Sequence, residues 1–194
     1  MTKNFNTSWM FELDEVNPYA YVHNFLNPKE CNSIIEHGKK YKLERGLVNK
    51  QKKNKIREST IKWLYPHDDI IWLYERLSRA TVDLNNKYFK FDISGLTEGL
   101  QFTTYKHPDG RYGKHVDLLF NGTIRKLSIS VQLTDPKKYT GGDLCLYTSE
   151  KPVSLPRSQG SLYIFPSYIL HEVKPVTKGE RQSLVAWVNG KAFK

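Results

Sequence analysis

The half of the chain after residue 90 is divided into short strand-like segments, which turn residues separate at nearly regular intervals. Pairs such as Asn121-Gly122 and Gly141-Gly142 stand where the chain is expected to reverse. Short strands at this spacing are typical of a double-sheet jelly roll. The predicted strands are 99–105, 113–119, 127–134, 143–148, 152–155, 161–165, 171–176 and 181–189.

The half before residue 90 predicts helices instead. Asn27-Pro28 has the residue types of an N-cap and a first helical position, so a helix is expected from there to about Lys40. A second helix is expected from a cap at Asp68 or Asp69 to about Tyr88. Apolar residues at helical spacing indicate the buried faces, which are Cys31, Ile34 and Ile35 in the first helix and Ile70, Leu73, Tyr74, Leu77, Thr81 and Leu84 in the second.

These patterns predict a mainly β protein with a double-stranded β-helix core, a jelly roll of the cupin type, flanked by N-terminal helices. The length of 194 residues suits a single domain. Within it, residues 1–90 are expected to form a helical region on the substrate side, and residues 91–194 to form the jelly-roll core.

The chain is strongly basic, with a formal net charge of +10 from 30 basic and 20 acidic side chains. A basic surface attracts acidic peptides, nucleic acid or anionic metabolites, and it also aids solubility. Five of the eight residues in 50–57 are basic. This segment is either a solvated loop or part of a mobile lid over 43–57 that meets the substrate.

The cysteines and the hydropathy of the chain indicate in which cellular compartment the protein is expected. Cys31 and Cys145 form no Cys-x-x-Cys pair, and we expect both to be buried free thiols in a reducing cytoplasm, that of a bacterium or a phage-infected host. The N-terminus has no apolar stretch of a signal peptide, and no apolar run is long enough for a membrane span. We therefore expect no membrane partner. The oligomeric state has no signature in the sequence.

Three histidines begin a His-x-Asp sequence, and their contexts differ. His67 stands at a helix start, where the following acidic residues have a capping role, and His107 stands in a turn. His115-Val116-Asp117 falls in a predicted strand, in which side chains alternate between two faces. His115 and Asp117 are therefore expected on one face, as two ligands of one metal require.

A third ligand is expected from His171, which opens a later predicted strand. Two imidazoles and one carboxylate form the facial triad of non-haem Fe(II) oxygenases, which leaves coordination positions open. Arg181 follows ten residues later, with Ser183 on the same face of the last strand. A guanidinium fork binds a carboxylate through two hydrogen bonds, and a serine hydroxyl can add a third.

Together these residues carry a resemblance. The segment from about Leu100 to Gly190 resembles the 2-oxoglutarate/Fe(II) oxygenase superfamily, and it is most similar to the prolyl 4-hydroxylase-like branch that includes bacterial and phage PKHD-type hydroxylases. The matching pieces are Tyr105-x9-His115-x-Asp117, Gly141-Gly-Asp-Leu144, Gly160-Ser-Leu-Tyr-Ile-Phe-Pro166, His171-Glu-Val-x-Pro-Val176 and Gly179-Glu-Arg181-x-Ser183.

The resemblance implies an enzyme that uses Fe(II), 2-oxoglutarate and O2, with L-ascorbic acid as an additional cofactor. It implies that Arg181 binds the distal carboxylate of 2-oxoglutarate and that Tyr105 lines the same pocket. Turnover in the family converts 2-oxoglutarate to succinate and CO2 while a C–H bond is hydroxylated. One departure is the strand at 127–133, where oxygen-sensing relatives carry a tyrosine and this chain has none.

Several substrates remain open at this stage. The leading hypothesis is a prolyl residue of a peptide or protein, with Arg57 and Trp187 as predicted substrate contacts. Small molecules or free amino acids form the second hypothesis. AlkB-like demethylation of nucleic acid is disfavoured, because that class carries a second arginine where this chain has Trp187. A catalytically dead binding module would show a broken triad or a lost arginine, and the sequence shows neither.

Overall fold

The structure is a computed structural model that describes residues 17–40, 44–45, 56–118 and 124–192. Within these ranges lie two α-helices, α1 (Pro28–Lys39) and α2 (Ile71–Leu84). A π-helical turn, Asn85–Phe89, continues α2, and a 3-10 turn, Pro136–Lys138, interrupts the strand region.

The start of α1 follows from its sequence. The Asn27 side chain accepts a hydrogen bond from the backbone N–H of Glu30 at 3.0 Å, and the Glu30 carboxylate accepts one from the N–H of Asn27 at 2.9 Å. This reciprocal capping box satisfies two donors that a helix start otherwise leaves free. The predicted N-cap is confirmed, and Cys31 and Ile34 are buried as expected.

The start of α2 differs from the prediction. Its N-cap residue is Ile70 and has no side-chain cap, so the cap expected at Asp68 or Asp69 is wrong. The backbone N–H groups of Ile70 and Ile71 instead donate to the carbonyl of His67, at 2.8 Å each. A turn, rather than an acidic side chain, therefore leads into this helix. The buried residues of α2 are the expected Leu73, Tyr74, Leu77 and Thr81.

Strands in the described part of the chain form two antiparallel sheets. They are β1 (Ala20–Val22), β2 (Glu44–Arg45), β3 (Arg57–Glu58), β4 (Thr60–Leu64), β5 (Ile93–Leu96), β6 (Leu100–Lys106), β7 (Arg111–His115), β8 (Ile124–Gln132), β9 (Tyr139–Gly141), β10 (Leu144–Tyr147), β11 (Val153–Ser154), β12 (Leu162–Pro166), β13 (Leu170–Val173) and β14 (Val176–Gly190).

The larger sheet has the order β1-β12-β8-β14-β6-β4-β2, and β5 and β9 also pair with β14. The smaller sheet has the order β11-β10-β13-β7-β3. Strands that are distant in sequence are neighbours in both sheets, as in a jelly roll. The predicted mainly β architecture, with its double-stranded β-helix core and flanking helices, is confirmed.

The N-terminal region is less purely helical than predicted. Its strands β1, β3 and β4 pair with β12, β7 and β6 of the C-terminal half, so they extend both sheets. The division at residue 90 is therefore not a division between helices and strands, and the single-domain organisation stays a prediction. The predicted lid over 43–57 lies outside the described residues, except for 44–45 and 56–57.

The apolar core has two parts, one on each face of the larger sheet. On one face, helix residues such as Cys31 and Leu77 pack against sheet residues such as Phe102 and Ile129. On the other face, Tyr105 and Phe165 of the larger sheet pack against residues of the smaller sheet, which include Leu146 and Val173. The space between the two sheets is therefore lined partly by this second core, and the functional side chains lie there.

Both cysteines are buried free thiols, as predicted. Among the described residues, no helix combines the length and the apolar character that a membrane span requires.

Candidate metal centre

His115 and His171 face each other across two neighbouring strands of the smaller sheet. They are direct partners in the antiparallel register of β7 and β13, and their ring centroids are 4.1 Å apart. Asp117 completes the group, with 3.6 Å between its Oδ1 and Nε2 of His115 and 3.4 Å between its Oδ2 and Nε2 of His171. The candidate ligand atoms all lie within 4.8 Å of one another, so the expected convergence is confirmed.

Asp117 lies just beyond the strand in which it was predicted. β7 ends at His115, and the backbone N–H groups of Asp117 and Leu118 both donate to the carbonyl of Ser167, at 2.9 and 3.0 Å. The Ser128 hydroxyl donates to Oδ2 of Asp117 at 2.8 Å and also contacts the hydroxyl of Ser167 at 3.0 Å. Hydrogen bonds to Ser167, rather than continued strand pairing, therefore orient this carboxylate.

Each histidine is oriented by its own backbone surroundings. Nδ1 of His115 lies 2.8 Å from the carbonyl of Gly113, and Nδ1 of His171 lies 2.9 Å from the carbonyl of Ile169. A carbonyl can only accept, so each Nδ1 carries a hydrogen, and in the neutral imidazole each Nε2 presents a lone pair toward the centre. Hydrogen bonding of the non-ligating nitrogen is the usual support for a metal-binding histidine.

The electrostatics suit a cation between these groups. Burial, together with the nearby His171, lowers the pKa of His115 to about 4, although Asp117 opposes this effect. Burial alone would raise the pKa of Asp117, but His171 and His115 hold it well below its usual range. The pKa of His171 is raised, because its interaction with Asp117 outweighs the opposing effect of burial. At neutral pH the carboxylate is therefore ionised and the imidazole of His115 is neutral.

A stack of side chains that the sequence did not reveal supports His115. The Tyr112 ring lies 3.5 Å from that of His115, with 15° between the planes, and the Arg57 guanidinium lies 4.5 Å from the Tyr112 ring centroid. Arg57 is buried and donates to Ser59 Oγ and Gln101 Oε1, each at 2.8 Å. Arg57 lines the pocket, and its predicted contact with the substrate stays a prediction, whereas a contact to a metal ligand through Tyr112 was not expected.

A β-bulge explains why Tyr112 reaches the metal side. Two steps along β13, from His171 to Val173, correspond to three steps along β7, from His115 to Tyr112. The extra residue turns Tyr112 onto the face of His115, where simple alternation would have placed Gly113 instead. The signal in the sequence is Gly113 itself, since an isolated glycine in a strand often marks a bulge.

Arg181 lies in the same pocket, where no carboxylate of the described residues pairs with it. It is 3% exposed, and within the described part of the chain it forms no ion pair. Its Nη1 donates to Ser183 Oγ at 3.3 Å, and its guanidinium lies 5.4 Å from the ring centroid of Tyr105, its partner in the register of β14 and β6. The Tyr139 hydroxyl, which accepts a hydrogen bond from Gln132 Nε2 at 3.1 Å, lies near the guanidinium. Arg181, Ser183 and Tyr105 are therefore together, as predicted.

Trp187 lines the same pocket as the metal ligands. It is 6% exposed, and its indole N–H has no hydrogen-bond partner among the described residues, although it lies close enough to Asp117 to favour the ionised carboxylate. The Arg125 guanidinium lies 3.8 Å from the Trp187 ring centroid and forms two hydrogen bonds to the carboxylate of Glu98. A buried donor without a partner costs stability unless a ligand accepts from it.

The metal pocket is the cavity between the sheets that is lined by His115, Asp117, His171, Tyr105, Tyr112, Arg181 and Trp187 together with apolar side chains such as Ile129, Leu144 and Phe165. His67 and His107 are exposed and lie outside this group, as predicted. The donor set of two imidazoles and a carboxylate fits Fe(II) with open coordination positions. The uncompensated guanidinium fits an anionic ligand beside it.

Comparison with known proteins agrees with this geometry. A sequence profile of the 2OG-Fe(II) oxygenase superfamily matches residues 100–189. A PKHD-type hydroxylase from Prochlorococcus marinus strain MIT 9312 is 30% identical over 188 residues, which cover 95% of this chain and 77% of that protein.

Two solved structures share the fold. A prolyl-4-hydroxylase from Pseudomonas putida superposes with a TM-score of 0.74 at 18% identity, covering 90% of this chain and 94% of that one. A prolyl hydroxylase from Trichoplax adhaerens, solved in complex with a hypoxia inducible factor peptide fragment, superposes with a TM-score of 0.77 at 21% identity. It covers 90% of this chain and 84% of that one.

Proposed function

Because this chain belongs to the 2OG-Fe(II) oxygenase superfamily, we propose that it hydroxylates a prolyl residue of a peptide or protein and couples this to decarboxylation of 2-oxoglutarate. Membership makes it a dioxygenase that uses Fe(II), 2-oxoglutarate and O2. The residues that hold these groups and the substrate that is hydroxylated are the subject of the proposal.

We assign the iron to His115, Asp117 and His171. The observation that carries the proposal is the convergence of their ligand atoms beside an uncompensated Arg181 in one pocket. The protein prepares this site by fixing both Nε2 lone pairs inward and by keeping Asp117 ionised. When bound, Fe(II) supplies the redox chemistry that couples O2 reduction to C–H hydroxylation.

We assign the distal carboxylate of 2-oxoglutarate to Arg181, with Ser183 and Tyr105 beside it. A buried guanidinium without a counterion is unfavourable, and a carboxylate removes that cost through charge-assisted hydrogen bonds. Tyr139 adds a phenol beside Arg181.

The apolar lining contributes by excluding water. Apolar side chains line the pocket around the polar groups. They are Ile129, Leu144, Phe165 and Val185, together with Val173 of the smaller sheet. A dry pocket strengthens the interactions of Arg181 and Asp117 with bound charges. It also limits side reactions of whatever reactive species forms there.

Two observations favour a peptide as the substrate. The relatives and the structural neighbours named above are a PKHD-type hydroxylase and prolyl hydroxylases, and one of them was solved with a peptide bound. Trp187 occupies the position at which a nucleic-acid demethylase would carry its second arginine. Use of ascorbate and a cytoplasmic location stay predictions from the sequence.

Succinate formation tests this proposal when the purified enzyme is given Fe(II), 2-oxoglutarate and three substrate panels. These are proline-containing peptides, free amino acids and methylated oligonucleotides. We expect succinate to rise well above the substrate-free level with the peptides alone. Stimulation by free amino acids or by oligonucleotides, with every peptide inactive, would contradict the prolyl substrate while leaving the oxygenase assignment in place.

A further inference from the structure

The two carboxylate oxygens of Asp117 both face the metal site, but they differ in what they contact. Oδ1 lies 3.6 Å from Nε2 of His115, and Oδ2 lies 3.4 Å from Nε2 of His171. The Ser128 hydroxyl donates to Oδ2 at 2.8 Å. We propose that Ser128 is a positioning residue, whose hydrogen bond occupies Oδ2 and so limits Asp117 to a single metal bond through Oδ1. The proposal rests on the proposed function, because it takes the three metal ligands from there.

Ser128 is the residue that distinguishes the two oxygens. The backbone N–H groups of Asp117 and Leu118 donate to the carbonyl of Ser167, which fixes the chain but not the rotation of the carboxylate. Among the described residues, no other side chain donates a hydrogen bond of ordinary geometry to either oxygen, and the nearby indole N–H of Trp187 forms none. A carboxylate can bind a metal through one oxygen or through both. Without Ser128, both oxygens of Asp117 would therefore be available.

The hydrogen of the Ser128 hydroxyl has one available direction. The carboxylate of Asp117 is ionised at neutral pH, and an ionised carboxylate only accepts hydrogen bonds. A serine hydroxyl has a single hydrogen, so in the contact of 3.0 Å between the hydroxyls of Ser128 and Ser167 the donor is Ser167. The hydrogen bonds therefore run in one direction, from Ser167 through Ser128 to Asp117.

Burial and strand pairing keep these hydrogen bonds in one arrangement. Ser128 is 1% exposed and Ser167 is 0% exposed, which leaves water little opportunity to compete for either hydroxyl. Ser128 lies within β8, where it is paired with Phe165 of β12 on one side and with Trp187 of β14 on the other. A hydrogen bond to a charged group in such surroundings is stronger than one between neutral groups in water. The position of the Ser128 hydroxyl is therefore fixed by the sheet.

The turn that contains Ser167 also orients a second metal ligand. The backbone N–H of Ser167 donates to a carbonyl of β8 at 2.9 Å, which joins the turn to the strand of Ser128. Two residues after Ser167, the carbonyl of Ile169 accepts the hydrogen bond from Nδ1 of His171. The turn therefore holds Ser128, Asp117 and His171 in a fixed relation to one another.

The number of metal bonds from Asp117 matters for the proposed reaction. An octahedral metal that takes one atom from each of three residues keeps about three positions open. A second bond from Asp117 would close one of these positions, and the co-substrates of the reaction need them. Ser128 therefore keeps a coordination position open without contacting the metal itself.

The number of water molecules on a bound metal tests this role without turnover. The probe is Mn(II) added to the full chain, and the relaxation rate of the water protons reports how many waters the metal carries. We expect about three in the wild type and about two in Ser128→Ala, because the freed Oδ2 occupies one position. The affinity for Mn(II) should not fall in Ser128→Ala. An affinity lowered by about 10–100-fold, with the number of waters unchanged, would show that Ser128 only supports the ligand, and would contradict the proposal.

Ser130→Ala is the matched control. Ser130 lies two residues after Ser128 in β8 and lines the same pocket, but its hydroxyl forms no hydrogen bond to Asp117, so its removal should leave the number of waters unchanged. Ser128→Thr keeps a hydroxyl and should also keep the wild-type number. Thermal unfolding checks that the variants fold. If Ser128→Ala does not fold, Ser167→Ala replaces it, because it frees the Ser128 hydroxyl to turn and should lower the number of waters as well. An unchanged number in the folded variant would overturn the proposal.

A parallel hydroxylation assay separates the two proposals. Loss of a water in Ser128→Ala, in an enzyme that hydroxylates no peptide, would uphold the role of Ser128 and contradict the proposed reaction. Hydroxylation of peptides by the wild type, with an unchanged number of waters in Ser128→Ala, would uphold the reaction and contradict the role of Ser128. If both hold, Ser128→Ala lowers kcat for succinate formation by at least about tenfold, and Ser128→Thr restores it.

Discussion

His115 and His171 lie directly opposite each other on β7 and β13, and Nδ1 of each donates a hydrogen bond to the carbonyl two residues earlier in the chain. In both histidines, the hydrogen bond at Nδ1 therefore orients Nε2 toward the metal site. With the carboxylate of Asp117 near both Nε2 atoms, they form a three-ligand site.

The first prediction concerns Asp117. Replacement by asparagine keeps the size of the side chain but removes the charge that neutralises a bound cation. We expect Asp117→Asn to lower Fe(II) affinity by more than about tenfold. Even the loss of a residue that only supports a metal ligand typically lowers metal affinity by about 10–100-fold. Metal content after equilibrium dialysis measures this. His107→Ala, at an exposed turn, should keep wild-type metal content, and normal loading of Asp117→Asn would refute the assignment.

The second prediction concerns the co-substrate. Arg181→Ala removes the guanidinium that faces the proposed distal carboxylate, so the 2-oxoglutarate concentration for half-maximal succinate formation should rise at least about tenfold. Iron content should not change. Arg79→Ala is a suitable control, because Arg79 is exposed on α2 and pairs with Glu75. An unaltered requirement in Arg181→Ala would mean that another basic residue binds the carboxylate.

The third prediction uses two glycines with left-handed backbone. Gly142 has φ +67°, and a Cβ atom there would lie 3.0 Å from Cδ of Arg181, whereas a Cβ atom at Gly95, with φ +129°, meets nothing within 4 Å. Alanine at either position should cost about 1–3 kcal/mol of folding stability through backbone strain.

The contact with Arg181 distinguishes these two variants. Gly142→Ala should also raise the 2-oxoglutarate requirement, and Gly95→Ala should not. Thermal unfolding and the succinate assay give the two readouts. Equal 2-oxoglutarate requirements in both variants would show that Gly142 does not set the position of Arg181.

The fourth prediction addresses the stack on His115. Tyr112→Ala removes the ring that lies 3.5 Å from the imidazole, and Fe(II) affinity should fall by about tenfold, within the range for residues that orient a ligand. Tyr112→Phe keeps the ring and should restore the affinity, which separates orientation from any role of the hydroxyl. Loss of affinity in Tyr112→Phe as well would point to the hydroxyl instead.

The sequence predicted the parts of the site that depend on local periodicity. Alternation along a strand brought His115 and Asp117 together, and the same rule paired Arg181 with Ser183. It placed Asp117 inside the strand, whereas the structure ends β7 at His115 and holds Asp117 through Ser167. The side chains of His115 and Asp117 nevertheless converge on one site, as the alternation rule predicted.

The missed residues depend on tertiary features. Tyr112 reaches His115 through a bulge, which periodicity does not reveal. The strands of the N-terminal half were also missed. Short segments such as β3 and β4 form because they pair with β7 and β6, so their own sequences carry a weak signal.

Mass spectrometry of a proline-containing peptide tests the central claim most directly, after incubation with the enzyme, Fe(II), 2-oxoglutarate and isotopically labelled O2. The account predicts that the peptide gains one labelled oxygen atom, that one succinate forms for each atom gained, and that Asp117→Asn abolishes both. An unmodified peptide, together with loss of a methyl group from an alkylated oligonucleotide under the same conditions, would contradict it.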